Sequence, residues 1–99
     1  MAYRIVWSPE AIADVNSIAV YISRDSTSYA AAVVRKILDT ARSVKAFPFA
    51  GRVVPELDDT NTRERFVYSY RLIYRIEETT VTVAAVIHGN RLLDSEQLG

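Results

Sequence analysis

From Pro9 onward the hydrophobic period of this chain changes once, near Pro48, and that change narrows the folds open to it. Before it, apolar residues recur at helical spacing: Ile12, Val15, Ile18, Ala19 and Ile22, then Ala30, Val33, Val34, Ile37, Leu38, Ala41 and Val44. After it they alternate, as strands require. Tyr3–Trp7 is apolar and β-prone and precedes the helices as a first strand. Ser8-Pro9-Glu10 has the order of a helix start, with a capping hydroxyl, proline at the first position and a carboxylate at the positive end of the dipole. A helix is predicted from about Pro9 to Arg24. The polar break Asp25–Ser28 caps a second, which stops near Phe47 because proline disfavours helical backbone before it. So short a link makes an antiparallel hairpin, and each stripe still needs a second surface.

That surface follows. Pro48–Asp59 contains Gly51 and Pro55 and is predicted as an irregular connection. Thr62–Tyr68, Tyr70–Glu77 and Thr80–His88 are predicted strands, with a turn at Glu78-Thr79. Alternation sets Leu72, Tyr74 and Ile76 against Arg71, Ile73 and Arg75, and Val81, Val83, Ala85 and Ile87 against Thr82, Ala84, Val86 and His88. The expected register places Arg75 opposite Thr82, Ile73 opposite Ala84 and Arg71 opposite Val86. The same logic buries Phe66 and turns Arg63, Arg65 and Val67 outward. The expectation is one α+β domain over residues 1–99, ordered β-α-α-β-β-β, with a helical hairpin on one face of a three-stranded antiparallel sheet. The open face would then collect Arg63, Arg65, Arg71, Arg75 and His88, interrupted in sequence by Glu64.

Composition removes several chemistries. Twelve basic and twelve acidic residues cancel, which excludes a uniformly basic or acidic surface. The charge is uneven: residues 35–75 hold nine basic against five acidic groups, and 76–99 one against four. Ten of the twelve cations are arginine, the residue suited to bidentate phosphate or carboxylate recognition. With no cysteine there is no disulfide, thiolate zinc site or cysteine nucleophile. The single histidine rules out a histidine metal cluster, so no metal or cofactor is expected. Three glycines make no phosphate-binding loop, and no G-x-S-x-G occurs. Neither a membrane-length apolar run nor a secretory leader pattern is present, so a cytoplasmic protein is expected. His88 could act as a general acid or base near Arg71, or simply close a strand before Gly89. The arginine face suits an acidic peptide or a nucleic acid equally.

The stretches Tyr3–Glu10, Phe47–Leu57, Thr62–Val67, Tyr70–Ile76 and Val86–Arg91 occur in an order and spacing that resembles the ParE/RelE superfamily of toxins over essentially the whole chain. The resemblance implies the toxin of a type II toxin–antitoxin pair, a growth inhibitor linked to plasmid stabilisation. An antitoxin would hold it in a hetero-oligomer. Two activities occur in the superfamily, ribosome-dependent mRNA cleavage in RelE- and YoeB-like members and poisoning of DNA gyrase in ParE-like members. Beside the YoeB-type nucleases, Glu56 falls at the glutamate base, and Arg65 and His88 at the arginine and histidine. Their neighbouring tyrosine is Gly89 here, and the lysines of RelE have no counterpart. Tyr70–Ile76 and Val86–Arg91 look more like ParE-type members, which implies a non-enzymatic gyrase poison. Arg52, Arg63, Arg71, Arg75 and Arg91 are the expected contacts to target or antitoxin. A catalytically inactive interaction module is the third reading.

Overall fold

The computed structural model describes residues 3–91. Strand β1 (Arg4–Trp7) leads into helix α1 (Pro9–Ser23), and α2 (Thr27–Val44) follows after a short link. A 3-10 turn at Pro48–Ala50 precedes the two-residue β2 (Arg52–Val53), then β3 (Thr62–Val67), β4 (Tyr70–Glu77) and β5 (Thr80–His88). The strands form one mixed sheet in the order β1-β5-β4-β3-β2, with β1 parallel to β5 and the other pairs antiparallel. The expected α+β order is therefore present: the expected first strand joins the three-stranded unit at one edge, and the two-residue β2, within the stretch expected to be irregular, joins it at the other.

Both helices begin as their sequences dictate. The Ser8 hydroxyl accepts the Ala11 N–H at 3.0 Å, and the Ser26 hydroxyl accepts the Tyr29 N–H at 3.1 Å. Helix α2 ends at Val44, short of the expected Phe47, because the Lys45 N–H closes the last turn onto the Arg42 carbonyl. Its Val33, Ile37, Ala41 and Val44 pack with Ala11 of α1 against Leu72, Tyr74, Ile76, Val81 and Val83. No helix among the described residues is long and apolar enough to cross a membrane.

Two expectations about strand faces are overturned. Arg75 does lie opposite Thr82, and Tyr74 opposite Val83, but Ile73 then pairs with Ala85 and Arg71 with Ile87. Ala84 is an extra residue, a β-bulge, and beyond it the faces exchange. Val86 joins the core under the helices, while Ala85 and Ile87 pack with Ile73 and Val54 on the other face. The cause lies in α1. Strand β1 stops at Trp7, and from Ala84 onward the helix supplies the missing partners of β5. The Ser8 hydroxyl donates to the Ala84 carbonyl at 3.1 Å, and the Asp14 carboxylate accepts the Val86 N–H at 2.9 Å.

Strand β3 also presents the opposite face from that expected. The two-residue turn Tyr68-Ser69, with Tyr68 at φ 54°, sets Val67 opposite Tyr70 and hence on the helix side. Val67 is buried and Phe66 is 56% exposed. Arg63 and Arg65 lie opposite Tyr74 and Leu72, on the helix side, whereas Thr62, Glu64 and Phe66 share the open face with Arg75, Ile73 and Arg71. His88, opposite Tyr70, is also on the helix side. The supposed five-member cationic face reduces to Arg71 and Arg75.

Candidate functional site

The open face carries an alternating ion chain. Arg71 in β4 donates through Nε to Glu64 Oε1 at 2.7 Å, and through its two terminal nitrogens to both oxygens of Glu56 at 2.8 and 2.7 Å. One of those nitrogens also reaches the Arg91 carbonyl at 3.0 Å. The second oxygen of Glu64 accepts Nε of Arg52 at 2.7 Å. Two cations and two carboxylates thus alternate, Glu64 wholly buried and Arg71 nearly so. The bidentate Glu56 holds the Arg71 guanidinium above its ordinary value against the opposing effect of burial, with Glu64 adding to the rise. Arg52 continues outward and lies over the Phe66 ring at 5.4 Å. Above the chain opens a shallow cleft of about 340 Å³, bordered by Pro55, Phe66 and Gly89. Because the two cations and two carboxylates of this chain balance, the cleft above it offers shape and aromatic surface more than positive potential.

The remaining expected residues are dispersed. Arg75 is half-buried on the open face between Thr62 and Thr82. Arg65 faces the helices from β3, and His88 ends β5 on that same side. Two strand spacings, about 10 Å, and the buried Leu72 lie between these two strands. The exposed His88 ring stands edge-on to Tyr70 at 5.8 Å, and its Nδ1 accepts the Asn90 N–H at 3.3 Å. Glu56 is on the other face of the sheet, so the structure does not bring Glu56, Arg65 and His88 together. Gly89 presses its backbone on the preceding turn, its N–H 2.7 Å from the Ser69 carbonyl; a Cβ there would lie 2.9 Å from that oxygen. Arg91 borders a separate cleft with Asp14, Tyr21, Tyr70 and His88. Arg63 donates to the carbonyls of Thr60, Phe49 and Gly51 and lies over the Phe49 ring at 5.2 Å.

The helical hairpin exposes an apolar surface of its own. Between α1 and α2 runs a groove of about 530 Å³ floored by Ala19, Val20, Ala31, Val34 and Leu38, with Arg35 and Arg42 at its rim. Leu38 also borders a second hollow with Trp7, Ile12 and Val15, so the apolar strip continues toward β1. Ile12, Val20 and Leu38 are 50%, 59% and 39% exposed. The sequence signal was the width of the stripes: Val34 and Leu38 flank the line Val33, Ile37, Ala41 that the sheet absorbs.

A strand entering a helical hairpin that covers one face of a small mixed sheet is the fold of the ParE and RelE toxins. Residues 5–93 match the family described as the ParE toxin of the type II toxin–antitoxin system parDE, and the chain belongs to that family. No curated protein matches it in sequence. Solved structures share its fold. The chromosomal ParDE system of P. aeruginosa aligns with a TM-score of 0.72 at 14% identity, over 88% of this chain and 96% of that one. The RelBE2 toxin–antitoxin complex of Mycobacterium tuberculosis aligns at 0.64 and 20%, over 89% and 99%. The YoeB/ParE toxin of Agrobacterium tumefaciens aligns at 0.63 and 23%, over 86% and 96%.

Proposed function

We propose that this protein is the toxin of a two-protein module acting in the cytoplasm, that its antitoxin covers the helical-hairpin groove, and that it inhibits growth as a non-enzymatic poison of DNA gyrase. The separation of Glu56 from Arg65 and His88 carries the choice of target. Cleavage at a ribose 2′-OH needs a base within hydrogen-bond reach of the hydroxyl and a cation beside the developing phosphorane. Glu56 commits both oxygens to Arg71, and Arg71 is committed to two carboxylates. The arginine and histidine lie on the opposite sheet face, with Gly89 where the nucleases have a stacking tyrosine. A poison that grips its target needs no such constellation.

Purified protein added to gyrase is expected to abolish supercoiling and leave covalent gyrase–DNA adducts. Unchanged supercoiling, together with codon-positioned mRNA cuts that disappear in the Glu56→Ala/His88→Ala variant, would overturn the reading in favour of a RelE-like endonuclease. A protein harmless when expressed alone would instead be a pure interaction module. The groove is the natural seat of the antitoxin because it is apolar along its floor and cationic at its rim, matching an amphipathic acidic segment.

A further inference from the structure

In β5 the five residues Val83, Ala84, Ala85, Val86 and Ile87 are all apolar and all buried. Alternation therefore does not tell this stretch which side to present, because each side meets a core. Val83 and Val86 lie under the helices, and Ala85 and Ile87 lie with Ile73 and Val54 on the other face. Two registers against β4 suit such a stretch. The present one leaves out Ala84 and pairs Ile73 with Ala85, Leu72 with Val86 and Arg71 with Ile87. Carrying the Tyr74–Val83 pairing straight on would set Ile73 opposite Ala84, Leu72 opposite Ala85, Arg71 opposite Val86 and Tyr70 opposite Ile87. Every incoming residue in that second register is apolar, and the ladder regains the residue that the bulge leaves out. His88, now edge-on to Tyr70 on the helix side, would pass to the open face.

We infer that β5 has two registers, and that the Ser8 hydroxyl at one end and Gly89 at the other select the bulged one. The Val86 N–H points away from β4 to Asp14, so Leu72–Val86 is a pair without mutual hydrogen bonds, and the bonded pairs fall at Ile73 and Arg71. In the bulge-free register Ala84 takes the bonded place opposite Ile73. Its carbonyl then turns into the sheet and leaves the Ser8 hydroxyl, which it accepts at 3.1 Å in the bulged register. That bond exists in one register only, which is what a selector requires. Gly89 acts in the same direction. Its N–H lies 2.7 Å from the Ser69 carbonyl, where a Cβ would come within 2.9 Å of that oxygen. Slippage by one residue brings His88, with its Cβ, to that place. Ser8 is also the cap of α1, and Ala19 and Val20 of the same helix floor the hairpin groove. The helix that forms the groove thus also sets which face the end of β5 presents.

The experiment is NMR on the isotope-labelled intact chain, reading contacts between Hα protons across the strands. The unaltered protein should show Leu72–Val86 and no Leu72–Ala85. Ser8→Asp keeps an acceptor for the Ala11 N–H but has no proton for the Ala84 carbonyl, so it separates the cap from the selector. It should move the ratio of registers about tenfold or more toward the bulge-free one. Ser8→Asp/Gly89→Ala should give Leu72–Ala85 as the main contact, with a shifted imidazole signal from His88, the only histidine. Ser8→Thr, which can both accept and donate, should keep Leu72–Val86 alone. Deleting Ala84 in the double variant removes the extra residue and should restore Leu72–Val86. Retention of Leu72–Val86 alone in the double variant would overturn the inference. So would loss of both contacts, which means a frayed strand end instead of a slipped one. Should the double variant not fold, saturation-transfer exchange on Ser8→Asp reads the minor register directly, and its absence there overturns the inference as well.

Discussion

Arg71 lies beneath two carboxylates, and removing it would leave the wholly buried Glu64 with only its pair to Arg52 and would take from Glu56 its bidentate partner. Breaking a buried pair from one side costs about 3–5 kcal/mol, whereas replacing both partners with apolar groups of like volume is often neutral. Arg71→Met should therefore lower the unfolding free energy in urea by about that amount, and Arg71→Met/Glu64→Leu should recover more than half of it. Two aspartates give opposite pH signatures. Burial raises the Asp14 pKa, partly offset by its bond from the Val86 N–H, so the folded state holds that proton more tightly than the unfolded one. Stability from this group falls as pH rises from 3.8 through the raised folded value, and Asp14→Asn should flatten that fall. Asp59 is held low by the Asn61 N–H and the Thr62 hydroxyl. Its contribution is complete above 3.8 and is lost as pH drops through the lowered folded value, so Asp59→Asn should blunt the acid-side loss. Urea midpoints from pH 3 to 7 separate the two.

At the scale of elements, the 3-10 turn and β2 are seated by one glycine. A Cβ on Gly51 would run into the buried Tyr74 hydroxyl and come within 2.9 Å of the Glu64 carbonyl. That hydroxyl donates to the Pro48 carbonyl at 2.6 Å, and burial holds its pKa up. Gly51→Ala should destabilise by about 1–3 kcal/mol, and less in a Tyr74→Phe background, a coupling that a double-mutant cycle reads directly. The helices, their serine caps, the Glu78-Thr79 turn and the Arg75–Thr82 pairing were legible because each follows from residues adjacent in sequence. The bulge at Ala84 was not, since its cause is the hydroxyl of Ser8, the cap of α1, and the carboxylate of Asp14 on α1, more than seventy residues away. In β3 the alternation was expected to bury Phe66, whereas the Tyr68-Ser69 turn had already committed Val67 to the core. Those two parity errors account for the dispersal of the candidate site. Arg63, Arg65 and His88 were expected on the open face and lie on the helix side of the sheet instead.

For the molecule as a whole, the zero net charge conceals a division of labour between surfaces. The open face pairs Arg52 and Arg71 with Glu56 and Glu64, and the hairpin groove is apolar with arginines at its rim. Leu38 lies where both parts of that groove meet, and at 39% exposure it lends little to the core. Leu38→Glu should change folding stability by about 1 kcal/mol or less. In a complex it would set an unpaired carboxylate against the apolar face of the bound antitoxin, a desolvation cost of about 2–3 kcal/mol or more. Antitoxin affinity measured by calorimetry should accordingly fall by about thirtyfold to a hundredfold. In cells the variant should remain toxic while its antitoxin no longer restores growth at ordinary expression. If the groove instead engages the toxin's target, the pattern reverses: toxicity is lost while antitoxin affinity stays within about twofold, and the assignment of the groove to the antitoxin fails. Arg35→Glu at the rim extends the same test to charge, because an acidic partner is repelled by it. Loss of affinity in Leu38→Glu but not in Arg35→Glu would mean that the partner is recognised by its apolar stripe alone.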